Sequence, residues 1–512
     1  MSTYIRDNVL RKHQLFDDPS SIFRRIGYYL YQGYLPSTVF ENSGLAELEH
    51  KSDYSEEAVY DKNGKAIGKR RIDSLNVPKM VTNFLRRAIM GEGAMFSIDN
   101  DESGEKAEFF EEIIRKNNFY TAESDLIELM LNGGDMLHVI GYRRQQVKIS
   151  FLNGFKFEIV EFEQGQAKSV VLFVEKVRFD KEKEKNMYYT MLELHRFKDD
   201  DDDVEPAYEI IREIYESGER YRLDRGVRFN EHVGMFGNFK DHELFPGVTE
   251  PMFSFTRLPY RNNKQLDTIR GLGLMINSMD VNRSIDIAYD ANNQEIKNTK
   301  FKMLVPDEML EHAYDKQGNM VSFYNSDKSA YVGLNAADGF QFNPIAVSPP
   351  IRQMEYTAKI KQDLDLLCMQ LGLSPGTLSF DKHQGRVTAT QVMSEMNETH
   401  RTRVEIADAI TRSWRDLIWS IYNYSKEVWN LISWDMQYED IRWELEDSVI
   451  IDDEAEFKKD LEAVRENLMP HREFLMKHYG LGDEEAEEWL SRVNQFDFSD
   501  IDLGEADEDI ET

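Results

Sequence analysis

A chain of 512 residues with 62 Lys and Arg against 94 Asp and Glu carries a formal net charge of −32, which excludes a protein that grips nucleic acid or anionic lipid by broad electrostatic attraction. The length admits roughly two to four domains with a sizeable core. Its single cysteine, Cys368, excludes an intrachain disulfide and fits cytoplasmic folding.

The opening MSTYIRDNVLRK has no apolar stretch before a cleavage site, and no eighteen apolar residues run together anywhere. Neither a cleaved leader nor a membrane span is expected. IFRRIGYYLYQGY and VPKMVTNFLRRAIM place apolar residues at helical spacing, and VYDKNGKAIGKRRI between them reads as a hairpin around Asn63-Gly64. Residues 107–132 read as one helix. LHVIGYRRQQVKISFLNGFKFEIVEFEQGQAKSVVLFVEKV then alternates with period two and turns at Asn153-Gly154 and Gly165, a strand-rich module that continues through YYTMLELHRF and YEIIREIYE. An acidic run, Asp199 to Asp203, interrupts it.

From Gln265 the pattern turns helical for about thirty residues, roughly 45 Å of helix, with Leu266, Ile269, Leu272, Ile276 and Met279 on one face. A short mixed region of strand and turn signals follows, from KFKMLVP to GFQFNP. IRQMEYTAKIKQDLDLLCMQLGL then returns as a second helix, so two helices flank a small insert edged by Pro306, Pro344, Pro349 and Pro350. The apolar stripes of these helices, Leu266 to Met279 and Leu364 to Leu371, are expected to need neighbours to bury them. After a glycine-rich, proline-broken loop, Val392, Met396, Thr399, Ile406, Ile410, Leu417, Ile421, Tyr424 and Val428 keep near-heptad spacing, with Thr388 and Gln391 as a capping box. The strand-like IRWELEDSVII and two short acidic helices close the chain. Residues 441–512 hold 24 acidic and 7 basic side chains, which reads as a solvated tail region.

Several motifs tempt and fail. GKAIGK at 64–69 is one residue short of a phosphate-binding loop, and Arg70 stands where Ser or Thr must hold magnesium. DNDESG, with Asp99, Asp101, Ser103 and Gly104, opens like a calcium loop but has Phe110 at its twelfth position. Gly271 and Gly273 lie inside a helical pattern and not after a strand, which points to close packing. Cys368, on an apolar helix face, reads as a core thiol. No catalytic constellation emerges and no cofactor or metal is expected.

The loop LGLSPGTLSFDKHQG remains. Its glycines precede no Lys-Ser/Thr pair, so a phosphate cradle fails, and composition alone leaves it open between a functional tip and a plain connector. Ser374, Pro375, Gly376, Thr377, Leu378, Ser379, Phe380, Asp381, Lys382, His383 and Gln384 form this candidate site. Lys382 and His383 are its only cationic contacts.

The order of these pieces, with Gly-Leu-Ser-Pro-Gly-Thr at 372–377, Thr-Ala-Thr-Gln-Val at 388–392 followed by Ser394 and Glu395, and DSVIIDD at 447–453, resembles the portal proteins of tailed phages of Gram-positive hosts. The resemblance runs from about residue 20 to 495. It implies an α+β subunit that assembles into a ring, usually dodecameric. Residues 1–264 would form the wing, 265–296 and 349–372 the two stem helices, and 297–348 an α/β clip. Residues 373–387 would be a tunnel loop facing the channel, 388–433 a long helix, 434–495 a return strand to the wing and a helical crown, and 496–512 an acidic tail.

The partners implied are the chain itself, double-stranded DNA in transit, the terminase large subunit, a head-tail adaptor, and the major capsid and scaffolding proteins, with no membrane. The location implied is the portal vertex of the virion, after assembly in the host cytoplasm. The chain would not be an enzyme. The alternatives are a DNA-packaging ATPase or nuclease subunit, or a helical scaffold without a DNA role.

Overall fold

The computed structural model describes residues 4–10, 19–41, 53–60, 64–91, 93–181, 184–198, 207–219, 226–229, 235–237, 239–299, 350–378, 397–445, 453–466, 468–479, 482, 486–487 and 489–490, with five short strands between 302 and 347. The Asp199 to Asp203 run, Ser379 to Gln384, the Thr388–Gln391 capping box and residues 496–512 lie outside the described residues. The fold is α+β, in two units by contact: residues 1–384 with 395–446, and residues 385–394 with 447–512.

In the first unit, helix α1 (Pro19–Tyr31) leads to the hairpin β1 (Glu56–Tyr60) and β2 (Ala66–Arg71), paired antiparallel about the expected turn. Helix α2 (Val77–Met90) starts behind a left-handed Asn76 with Pro78 in its first turn, and buries Val77, Val81, Leu85 and Ile89. After β3 (Ala94–Ile98) come α3 (Glu105–Lys116) and α4 (Phe119–Gly133). The single helix expected over 107–132 is therefore two. Asn118 takes φ 50°, which no helix tolerates, and the Asn117 side chain leaves the helix to bond Val147 O at 3.0 Å.

The strand-rich module forms two sheets. One is three-stranded, ordered β12 (Phe253–Arg257), β4 (Asp135–Arg143), β5 (Gln146–Asn153). The other runs β6 (Phe157–Glu163), β7 (Gln166–Asp180), β8 (Lys185–Phe197), β9 (Ala207–Ser217), with β10 (Val227–Arg228) and β11 (His242–Pro246) sharing the outer edge of β9. Gly165 makes the β6–β7 turn as expected. Asn153-Gly154 instead crosses between sheets, and the β4–β5 hairpin turns at Arg144 and Gln145, both at positive φ (52° and 59°). Arg and Gln are unusual there, which is why the turn carries no signal in the sequence.

The segment from Gln265 departs most from its helical periodicity. Residues 265–275 are irregular, a short 3-10 turn covers Ile276–Ser278, and helix α5 runs Met279–Asn298. The reason is contact with the end of α4. A Cβ on Gly271 would sit 1.8 Å from Gly134 O, and one on Gly273 would sit 2.0 Å from Asn132 O, while Leu274 N donates to Leu131 O at 2.9 Å. Main chain lies on main chain here, which a helix with side chains on every face cannot do.

Arg270 fixes that segment. Buried to 2 % exposure, it donates to Asp135 through Nε at 2.7 Å and Nη2 at 3.0 Å, to Glu158 Oε2 at 3.0 Å, and to the carbonyls of Phe157 and Gly154. Arg24 from α1 closes the set on Glu158 Oε1 at 2.6 Å.

The strands β13 (Lys302–Pro306), β14 (His312–Tyr314), β15 (Met320–Ser322), β16 (Tyr331–Leu334) and β17 (Ile345–Val347) form one three-stranded and one two-stranded sheet between α5 and α6 (Gln353–Gln370). The expected apolar stripes do not wait for a neighbouring molecule. Ile269, Leu272, Ile276, Met279, Leu364, Leu367 and Leu371 are buried within the subunit, while Leu266, Leu366 and Met369 stay exposed. Helix α7 (Asn397–Glu427) ends six residues before the expected boundary at 433, because Asn430 takes φ 49° and Leu431 N turns back to Ser425 O at 2.7 Å. β18 (Ile441–Leu445) then pairs antiparallel with β3.

In the second unit, α8 (Asp453–Arg465) and α9 (His471–Tyr479) pack through Phe457 on Phe474 and His478, with Asp460 bridging Lys477 and His478.

Replacing Arg270 by Met leaves Asp135 and Glu158 facing one buried cation instead of two. The expected loss is about 3–5 kcal/mol, read as a collapse of soluble yield or a large fall in melting temperature. An unchanged melting curve contradicts this account of the junction.

Candidate functional site

The candidate loop leaves α6 through a left-handed Gly372 at φ 69°, with Leu373 N donating back to Cys368 O at 2.8 Å. A Cβ at Gly372 would meet Thr402 Oγ1 at 2.7 Å, and that hydroxyl donates to Gly372 O at 2.6 Å. Ser374 and Thr399 then bond reciprocally: Ser374 N donates to Thr399 Oγ1 at 2.8 Å, and Thr399 N to Ser374 Oγ at 3.3 Å. Thr377 adds its hydroxyl to Ser374 O at 2.6 Å, and Gly376 N reaches Asp365 Oδ1 at 3.1 Å.

Ser374 and Leu378 are buried, whereas Pro375 and Gly376 are exposed. Residues 374–378 are thus a hydrogen-bonded turn clamped between α6 and α7, not the pliable tip that their composition suggests. Ser379, Phe380, Asp381, Lys382, His383 and Gln384 lie outside the described residues. Thr399, Thr402 and Asp365 hold this turn; Thr399 is read from the sequence only as a position of the helix's near-heptad stripe, and Thr402 and Asp365 carry no reading there. The i, i+3 spacing of the two threonines on one helix face is the signal that could have found them.

Cys368 lies under the turn. Burial pushes its thiol above the usual range, which suits core packing and not nucleophilic attack. The tempting motifs dissolve in the same way. GKAIGK is largely strand β2, and Asp101 of DNDESG accepts from Ala107 N at 2.9 Å at the start of α3. Among the described residues, no three His, Cys, Asp or Glu side chains stand close enough to hold a metal ion, and no helix is long and apolar enough to cross a membrane.

Helix α5 is tied on both sides by carboxylates. Asp290 takes Arg70 on both oxygens at 2.8 Å, and Asp363 of α6 accepts from Ser284 Oγ at 2.7 Å. At the mouth of the insert, Glu295 of α5 holds Arg352 at 3.1 Å, which keeps the Glu295 carboxyl down at about 2. The chain therefore enters and leaves the 299–350 insert past one ion pair. Asp286 is different. Among the described residues it has no cation partner and accepts only from Ser74 Oγ and Leu75 N, both at 2.9 Å on Oδ1, and burial pushes its carboxyl up to about 6.

The family model described as phage portal protein, SPP1 Gp6-like, matches residues 28–495. The chain belongs to this phage portal protein family. No curated protein matches it. As a portal protein it works at the vertex of a bacteriophage capsid and serves genome packaging.

A carboxyl raised in the folded state contributes stability below its unfolded value near 4 and loses it as pH rises through about 6. Asp286→Asn keeps both bonds through its Oδ1. The variant is expected to exceed the parent in stability at pH 7–8 by on the order of 2–3 kcal/mol, with the difference fading below pH 4. Melting curves across that range check it; a difference independent of pH contradicts the assignment.

Proposed function

We propose that the chain is the subunit of a dodecameric portal ring through which double-stranded DNA passes. The family match over residues 28–495 carries this reading. Residues 1–264 act as the wing, and 265–296, helical from Ile276 onward, with 349–372 act as the stem. Residues 297–348 act as a clip that receives the terminase large subunit during packaging and a head-tail adaptor afterwards. Residues 373–387 act as the tunnel loop, with Ser374–Leu378 as its fixed root and Lys382 and His383 meeting DNA. Residues 388–433 continue the body, and 434–495 supply a return strand and the crown.

Electrostatics favours transit over capture. Duplex DNA carries a charge about every 1.7 Å, and a wall rich in Lys and Arg would hold it. A chain of net charge −32 with two cations in the candidate loop offers little grip. The portal itself catalyses nothing in this reading; the terminase supplies the work, and assembly with capsid and scaffolding proteins takes place in the host cytoplasm.

Purified chain is expected to form closed rings under negative stain and to show no ATPase or nuclease activity. Lys382→Glu and His383→Glu should leave rings intact and change DNA packaged per head; normal packaging by both variants would refute the tunnel-loop role. A stable monomer at micromolar concentration counts against the ring itself.

Because Glu295 and Arg352 pin the insert at its base, replacing residues 300–349 by a short linker should spare expression and abolish terminase and adaptor binding. Docking that survives the deletion removes the clip assignment.

A further inference from the structure

The sheet β12-β4-β5 has two outer edges and treats them differently. On β5 the edge is closed by Asn117, which donates to Val147 O and accepts from Ile149 N, both at 3.0 Å. On β12 no described strand pairs with the outer edge. Ile140 N donates to Met252 O and Leu258 N to Gly134 O, in register with Ser254 opposite His138. This parity turns the even-numbered amides and carbonyls toward β4, so those of Phe253, Phe255 and Arg257 face away from the sheet.

They open on a groove of about 890 Å³ bounded by the turn at 164–167 and by α7. Glu405, Asp408, Arg412 and Asp416 line it as one exposed stripe of α7, with Glu250 beyond them. Three carboxylates and one guanidinium leave that stripe negative. Within the groove the Thr256 hydroxyl is buried at 4 % exposure without a hydrogen-bond partner among the described residues. An open strand edge beside a charged stripe is the form of a site that accepts an added strand.

A matching strand stands elsewhere on the same chain. β1 and β2 form a sheet of their own, and a two-stranded hairpin is marginal in water without further packing. Arg70 anchors its root to Asp290. Its outer part exposes Val59, Tyr60 and Ile67, the last two at 63 % and 65 %. Lys65 directly precedes the strand, Ile67 is the extra residue of a bulge opposite Val59 and Tyr60, and Lys65, Ile67 and Lys69 are all exposed. Lys69 also reaches Asp53 at 3.2 Å, an exposed pair of little energetic weight.

We propose that β2 of one copy adds to the free edge of β12 in the neighbouring copy, with Lys65 and Lys69 against Asp408 and Asp416 and Ile67 between them. This rests on the self-assembly expected of the family. Lys65 and Lys69 are at most about 13 Å apart in extended chain, the bulge at Ile67 shortening this, and Asp408 and Asp416 are about 12 Å apart along a helix. Each copy carries both halves at different places, so the contact is head-to-tail and closes into a ring once the rotation per copy fits. Main-chain bonds from Phe253, Phe255 and Arg257 supply affinity, and the charged pairs set register.

The test uses the full chain with Ile67→Cys and Arg412→Cys together; Cys368 is buried and stays. Oxidised rings should run as a ladder of covalent multimers on non-reducing gels, and neither single variant should. Separately, Lys65→Glu with Lys69→Glu should raise the concentration for half-assembly at least tenfold, and adding Asp408→Lys with Asp416→Lys should restore it. Rings that form without a ladder, or that assemble at parental concentration after the lysine reversals, overturn this contact while leaving the portal reading intact. An unaltered chain that forms no rings overturns self-assembly and the contact together.

Discussion

The main unit is organised by one buried charge cluster. Arg270 and Arg24 face Asp135 and Glu158 where water does not reach, and each ion alone would cost several kcal/mol to hold there. Together they cancel, and Arg270 gives further N–H groups to the carbonyls of Gly154 and Phe157. The four side chains come from α1, the start of β4, β6 and the segment before α5. First helix, both sheets and the helical pair therefore share one fixed point. Glycine serves the same junction: a Cβ at Gly154 would stand 2.5 Å from Asp135 Oδ1, as one at Gly271 would strike Gly134.

Helix α7 distributes this order across the unit. Trp414, fully buried, donates to Glu123 Oε1 at 2.8 Å, and Glu123 holds His138 Nε2 at 2.7 Å through its other oxygen. One carboxylate thus joins α4, β4 and α7. Ser254 reaches Ser413 on the same helix, and Arg403 donates to Ala88 O at the end of α2. The N-terminal side of α7 carries Thr399 and Thr402, so the turn at 374–378 is clamped to the same element that spans the core.

The helical pair α5 and α6 follows a different rule from the core. Its ties are a few polar links: Tyr54 OH to Met279 O, Ser284 to Asp363, and the ion pairs of Arg70 with Asp290 and Arg352 with Glu295. Such links fix direction more than they add stability. Asp286 even works against the fold at neutral pH, since burial disfavours its charge. A helix aimed by polar contacts and seated on a modest apolar strip can shift by repacking a few of them.

Much of the architecture was written in the chain's periodicities. Alternation along 135–217 specified strands, the three-and-four spacing of Val77 to Ile89 and of Ile406 to Tyr424 specified helices, and Asn63-Gly64 specified a hairpin, because each signal is local. The charge and the lone cysteine bounded what the protein is, and the family pattern was legible in its short motifs. What the sequence could not decide is where one element yields to another's backbone. Leu266 to Met279 has helical periodicity, yet Gly271 and Gly273 lie flat on the end of α4, because two glycines let main chains approach more closely than any helix allows. The same applies at Ser374: its composition reads as a free tip, and only the arrival of Thr399 from the next helix turns it into a clamp. Local pattern determined the elements; contacts between residues distant in sequence decided which of them stay regular and which hold the site.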